Sequence, residues 1–370
     1  MKSVVFVFGS VLVLAVAAAG QSGRVQPKPT PVDDTVRVVT EEIKLNVLAF
    51  DENGEFFRNV TEKDLVITEN NILHIPESVR RLPANVLIVM DTGGELRSVK
   101  SLDTTRKVAL AVVGGLRQGD SVSILQYSDK AEIVAEWTND QAQMIAAIKR
   151  TNFGRRAVFV DALKLATNYL LKDPIENKHL VLITDGTDSF GRSSEKFDAF
   201  QRLLATDISV HVLSYTAMEG ADIEPRTKGI SKRPLPNALP PEIAATLPNG
   251  ARDANTAVKI GPTINLDRAL IKTMKARKLE LEKSEEQLEK LAENTNGEFI
   301  LPTGVEEMKE KAALVARMID SSYVVTYTPK IPVTETRGIA ERKIDVTSRR
   351  AGLIVQARRK LVTSRSAKEN

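Results

Sequence analysis

Two aspartates in this sequence stand at the ends of apolar runs. Leu87 to Arg97 reads LIVMDTGGELR, so a hydrophobic stretch delivers Asp91 onto a turn carrying Gly93, Gly94 and Glu95. HLVLITDG does the same for Asp185, which Gly186 follows. Carboxylates presented this way can ligate a hard cation through oxygen, approach a nucleotide, or meet a fixed positive side chain. Asp161 and Asp188 add two further carboxylates, and paired carboxylates also serve acid–base catalysis. No nucleophile elbow and no Cys/His pair accompanies them, so a hydrolase of unknown substrate is kept only as the second alternative.

Other chemistries are narrowed by what the chain contains. There is no cysteine, which excludes disulfides, thiolate zinc sites and cysteine nucleophiles. His74, His179 and His211 are not at zinc-ligand spacing and read as partly buried strand or loop residues. GTDSFGRS, Gly186 to Ser193, approaches the phosphate-binding pattern G-x-x-x-x-G-K-[ST] between a strand and a helix. Arg192 occupies the lysine position, however, and the Asp188 charge opposes phosphate, so no nucleotide is expected. Net charge is only +4 with acids and bases interspersed, which argues against nucleic acid.

The elements that must position these residues follow from hydrophobic patterning. ANVLIVMD and HLVLITDG are continuous apolar runs, as parallel strands covered on both faces require. Between and after them alternate RKVALAVVGGLR (helix), DSVSILQYSD and AEIVAEWTN (strands), QAQMIAAIKRT and DALKLATNYLLKD (helices), EKFDAFQRLLAT (helix) and ISVHVLSYTAM (strand). The alternation predicts an α/β fold: a doubly wound, mostly parallel sheet with helices on both faces. Residues 219–266, with seven prolines from Pro225 to Pro262, read as a surface insertion of little periodicity. A charged helix from about Asp267 to Asn294 follows, and GEFILP and VEEMKEKAALVARMIDS add a strand and a helix. Apolar residues alternate through Ile43, Leu45, Val47 and Ala49, and SSYVVTYTP, ERKIDVTSR and GLIVQARR alternate in the same manner. Strands from both chain ends are therefore expected to build a smaller β-sandwich-like domain into which the α/β domain is inserted.

The order of Asp91, GRRAVFVDA and Thr184-Asp185-Gly186 resembles the von Willebrand factor type A domain over roughly residues 84–320. With the flanking NVTEKDLVITEN, SSYVVTYTP and GLIVQARR, the chain is similar to exported bacterial proteins built around that domain. The resemblance implies a metal-ion-dependent adhesion site: Asp-x-Ser-x-Ser after the first strand, a Thr in a second loop and an Asp in a third. Asp91 and Asp185 match. Gly93 and Glu95 replace the serines, and Gly154-Arg155-Arg156-Ala157 stands where the Thr belongs. In the family geometry Arg155 or Arg156 points toward Asp91 and Asp185, and an arginine there can take the cation's place. The alternative is that Asp91, Glu95 and Asp185 hold Mg²⁺, Ca²⁺ or Mn²⁺ in altered geometry.

The N-terminus has one positive charge, an apolar run from Val4 to Val16 and small residues Ala17 to Gly20, the layout of a signal peptide. The expected plan is then signal 1–20, flexible linker 21–35, N-terminal β segment 36–82, α/β domain 84–320, C-terminal β segment 321–362 and tail 363–370. The reading is a non-enzymatic, secreted or periplasmic protein-interaction or scaffold module with a degenerate adhesion site. It needs no cofactor and has no transmembrane anchor once the signal is cleaved; its partner is a protein of unspecified identity.

Overall fold

The computed structural model describes residues 42–94, 99–235, 237, 239, 241–332 and 339–364. The expected signal and linker lie outside the described residues, as do Glu95 and the tail from residue 365.

The described chain opens with four strands: β1 (Ile43–Phe50), β2 (Leu65–Glu69), β3 (Ile72–His74) and β4 (Ser78–Arg80). It then alternates through β5 (Asn85–Asp91), α1 (Leu102–Gly115), β6 (Ser121–Tyr127), β7 (Ala131–Thr138), α2 (Gln141–Arg150), α3 (Phe159–Lys172), β8 (Lys178–Thr184), α4 (Ser193–Leu204) and β9 (Ser209–Ser214). Next come α5 (Thr216–Ile223), β10 (Ile230–Ser231), α6 (Pro241–Ala244), α7 (Asn249–Thr256), β11 (Thr263–Ile264), α8 (Arg268–Asn294), β12 (Phe299–Ile300) and α9 (Val305–Asp320). β13 (Ser322–Tyr327), β14 (Ile339–Ser348), β15 (Ile354–Ala357) and β16 (Lys360–Ser364) complete it.

The central sheet has the order β12-β9-β8-β5-β6-β7, parallel except for β7, which runs antiparallel to β6. β5 and β8 are apolar along most of their length because both of their faces are covered. Val86, Ile88 and Met90 of β5 pack with α1, α2 and α9, while Leu87 and Val89 pack with α3, α4 and α8. The chain leaves β5 toward β6 on one side and returns to β8 on the other, so the loops after β5 and β8 diverge at the ligand-binding edge of such sheets.

Strands from the two chain ends pair with each other. One antiparallel sheet has the order β15-β1-β13-β4 and a second β16-β14-β2-β3. Leu45, Val47, Tyr323 and Val325 from the first share a core with Leu65, Ile67, Ile344 and Val346 from the second. This β portion meets the central sheet at the strand beginnings, the end away from Asp91: the Asn46 side chain donates to Lys178 O (3.3 Å) and Ser209 Oγ (3.1 Å). His179 and His211 stack in the same buried layer, their Nδ1 and Nε2 atoms 3.1 Å apart. Burial holds His211 down at about 4; burial and then the neighbouring ring charge hold His179 well below its ordinary value.

Although it lacks periodicity, the 219–266 segment carries the end of α5, a 3₁₀ turn at Glu224–Thr227, α6 and α7, and β10 and β11 pair as a two-stranded ribbon. Its elements are too short for a 3.6-residue pattern to register. No described helix is long and apolar enough to cross a membrane.

Candidate functional site

Register brings the two aspartates together. β5 and β8 are hydrogen-bonded neighbours with Met90 opposite Ile183, so Asp91 and Asp185 leave the sheet side by side, both essentially inaccessible. Asp91 Oδ1 accepts from Gly93 N–H at 3.2 Å, and its Oδ2 lies 3.5 Å from the donating Thr184 Oγ1. Thr184 is itself held by the Tyr127 hydroxyl at 2.6 Å. Asp185 Oδ1 accepts from both the backbone N–H and the hydroxyl of Thr187, each at 2.7 Å. Each carboxylate thus has one oxygen committed to its own loop and the other turned toward its neighbour.

Between those two inward oxygens sits Lys100. Its Nζ lies 2.7 Å from Asp91 Oδ2 and 2.7 Å from Asp185 Oδ2, with Glu219 Oε1 at 3.9 Å. Lys100 precedes Ser101, the N-cap of α1, whose side chain accepts from Thr104 N–H, so the start of that helix fixes the lysine stem beneath the sheet edge. A second cation arrives from α8. Arg277 reaches Asp185 Oδ2 and Glu219 Oε2, both at 3.2 Å, and its other terminal nitrogen meets Thr187 Oγ1 at 3.0 Å.

The charges balance with one proton. Three buried carboxylates face two cations, and all ionised they would leave one negative charge where burial makes it costly. Burial, reinforced by the Asp185 charge, pushes Glu219 up to about 8, and Glu219 and Asp185 share a hydrogen bond that a proton on Glu219 supplies. Burial alone would raise Asp185, but Lys100 and Arg277 outweigh it and hold the carboxyl well below the usual range. Burial also lifts Asp91, against the opposing pull of Lys100. Lys100 is burdened by burial, yet Asp185, Asp91 and Glu219 keep it charged and above its ordinary value.

Arg155 and Arg156 do not take the place expected of them. Both are exposed, and their backbone N–H groups donate to the Asp129 carboxylate at 3.3 and 3.1 Å. The Arg156 guanidinium lies 5.4 Å from the Phe190 ring centroid instead of on Asp91 or Asp185. The reason is steric: their loop is pulled down by its backbone, with Gly154 N–H donating to Thr92 O at 3.1 Å. A Cβ at residue 93 would stand 1.9 Å from the Arg156 carbonyl oxygen, so the closed loop admits only glycine there. A Cβ on Gly154 would likewise meet the Ser128 side chain at 2.5 Å.

A divalent cation does not fit this donor set while Lys100 occupies it. The ammonium bridges the two oxygens a cation would use, residue 93 has no room for a hydroxyl side chain, and the 154–157 loop brings none. Among the described residues no group of three His, Cys, Asp or Glu is arranged to hold a metal. Glu95, named in the cation alternative, lies outside the described residues.

The remaining carboxylates have structural partners. Arg192 forks onto Asp161 at 2.8 and 3.1 Å and onto Asp188 at 2.9 and 3.2 Å. Asp188 Oδ2 also accepts from Val160 N–H at the start of α3 (3.0 Å), so the phosphate-like loop is a brace between α3 and α4. A cleft of about 580 Å³ opens above the cluster, lined in part by Gly94, Lys100, Asp185, Thr187 and Arg277.

Lys100, Glu219 and Arg277 escape the motif reading. Lys100 is the first lysine after Asp91, and that proximity is the one signal the sequence offers. Glu219 falls at the edge of the Pro-rich insertion but belongs to α5, and Arg277 is one of many charges on α8.

The chain is similar in part to known sequences and structures. A family model described as the von Willebrand factor type A domain matches residues 86–187. An uncharacterised protein of Synechocystis is 24% identical over 176 residues, 47% of this chain; the match spans 41% of that protein's length. Among solved structures, conserved hypothetical protein BatB from Bacteroides thetaiotaomicron aligns with 64% of this chain and 98% of its own, at 16% identity and TM-score 0.36. A von Willebrand factor type A protein from Catenulispora acidiphila aligns with 88% of this chain and 74% of its own, at 10% identity and TM-score 0.41. Manganese-loaded TRAP protein from Plasmodium vivax aligns with 80% and 97%, at 10% identity and TM-score 0.37. The match to the von Willebrand factor type A family model thus covers the segment from β5 to the loop after β8, which carries Asp91 and Asp185 at the edge of the doubly wound sheet.

Proposed function

We propose that the chain is a non-enzymatic, exported protein-interaction module whose adhesion site is degenerate and works without metal. One observation carries the reading: Lys100 Nζ bridges Asp91 and Asp185 at 2.7 Å on each side. An internal ammonium neutralises the carboxylates, so a partner's acid is not recruited through a bridging cation. Recognition falls instead to the exposed rim, where Arg155 and Arg156 offer guanidinium forks to a partner carboxylate beside the half-exposed Phe190 ring. Catalysis has little support here, because Asp91 and Asp185 are buried and ion-paired and Asp161 and Asp188 are engaged by Arg192.

Capture of partners from the native cell envelope tests this. Retention should survive chelation of divalent cations and fall with the double substitution Arg155→Ala/Arg156→Ala. Retention abolished by chelator, or unaltered in the double variant, contradicts the proposal.

A further inference from the structure

The ribbon inside the 219–266 insertion is patterned inside out. From Val258 to Leu266 every second residue is apolar or proline, and these are the exposed ones: Val258 (84%), Ile260 (91%), Ile264 (66%) and Leu266 (89%). The intervening Lys259, Thr263 and Asn265 are the more buried, Thr263 and Asn265 donating to backbone carbonyls of Arg233 and Arg226. Ile230, 73% exposed, is the cross-strand partner of Ile264 and so extends the same face. Thr263 and Ile264 form the strand of this stretch, and the apolar residues on either side lie in irregular chain. Here the polar residues secure the ribbon and large aliphatics protrude into solvent, beyond what scattered surface apolar residues account for.

Charge indicates what this face meets. Lys228 and Lys232 flank Ile230, Lys259 interrupts the stripe, and Arg268 and Lys272 follow on the first turns of α8. Between residues 226 and 275 the only acids are Glu242, Asp253 and Asp267, the last spent on the N-cap of α8. Lys228 and Arg233 both pair with Glu224, but no described carboxylate lies within ion-pair distance of Lys232, Arg268 or Lys272. Two copies meeting through this face would oppose like charges. Strands of two residues are also too short to recruit an edge partner by backbone pairing.

We propose that this basic, apolar-tipped ribbon docks on an anionic lipid surface. Ile230, Ile260, Ile264 and Leu266 enter the headgroup–acyl boundary, and the surrounding lysines and arginines engage lipid phosphates. Protruding aliphatics ringed by long cationic side chains are the combination that binds such interfaces, where apolar insertion and attraction to anionic headgroups add. The surface is separate from the Asp91 cluster, so the inference stands independently of the proposed metal-free site.

Because the chain has no cysteine, a single environment-sensitive label reports on one position. The full chain carrying labelled Ile260→Cys is mixed with phosphatidylcholine vesicles with or without phosphatidylglycerol, and labelled Phe197→Cys on exposed α4 is the control. Expected is a blue shift at residue 260 with anionic vesicles only, weakened by salt, with none at residue 197. Adding Ile230→Ser/Ile264→Ser/Leu266→Ser to the labelled chain, all at exposed positions, should weaken partitioning on the order of tenfold. No shift at residue 260, an equal shift with neutral vesicles, or unchanged partitioning of the triple variant overturns the proposal. A concentration-dependent shift without lipid, or the same shift with polyglutamate, overturns it in favour of a second copy or an acidic protein.

Discussion

The carbonyl oxygen of Arg156 lies 1.9 Å from where a Cβ on Gly93 would sit. The resemblance read from the sequence puts Gly93 where the first adhesion-site serine is expected, and the closed 154–157 loop leaves no room for a side chain at that position. Gly93→Ser should therefore destabilise by about 1–3 kcal/mol, the ordinary cost of overpacking. Chemical denaturation measures it; a neutral result would mean that the loop opens freely.

Lys100 stands in an environment that only a cation satisfies. Lys100→Met should cost about 3–5 kcal/mol, because Asp91 and Asp185 would lose their bridging charge while still buried. Adding Asp91→Asn should restore part of that loss, since the orphaned charge goes with it. A double-mutant cycle showing additive losses would mean that the pair does not interact.

Gly186 adopts φ +66°, and a Cβ there would meet Ser284 Oγ at 2.6 Å and Leu288 Cδ1 at 2.7 Å. Its loop is also clasped by α8, since Ser284 Oγ donates to Asp185 O at 2.7 Å. Gly186→Ala should cost at least about 1–2 kcal/mol from the backbone alone. Hydrogen exchange should rise in α8 around Ser284, and unchanged protection there would show that the helix does not depend on this contact.

The buried histidines make stability pH-dependent. His211 is held at about 4 in the folded protein, below the ordinary 6.5, so the unfolded chain takes up the proton first. Stability is full above about 6.5 and declines as pH falls toward about 4, by up to about 1.4 kcal/mol per pH unit for each such histidine. Glu219, raised to about 8, acts in the opposite sense between the carboxylate range and about 8. The discriminating quantity is thus the wild type minus His211→Asn difference, which should fall on acidification from pH 7 to 5. A pH-independent difference contradicts the burial argument.

The sheet could be read from sequence because burial on both faces demands unbroken apolar runs, and β5 and β8 have them. Asp91 and Asp185 were legible because each breaks such a run. Loop position alone points to Arg155 and Arg156 for the neutralising charge, yet backbone bonds to Thr92 and Asp129 close that loop and leave both side chains exposed. Lys100 supplies the charge from the start of α1, a location set by tertiary packing that leaves no periodic trace. Arg277 is equally silent, since Lys275 and Lys278 beside it look the same in sequence.

Whether Lys100 stands in for a divalent cation is tested by calorimetric titration of Mg²⁺, Ca²⁺ and Mn²⁺ into the wild type and Lys100→Ala, with thermal unfolding in parallel. The wild type should give no binding heat at Asp91 and Asp185 and no stabilisation. Lys100→Ala, with the space between its carboxylates vacated, should gain stability on adding Mn²⁺. Micromolar binding by the wild type that Asp91→Ala abolishes would contradict the lysine-neutralised site.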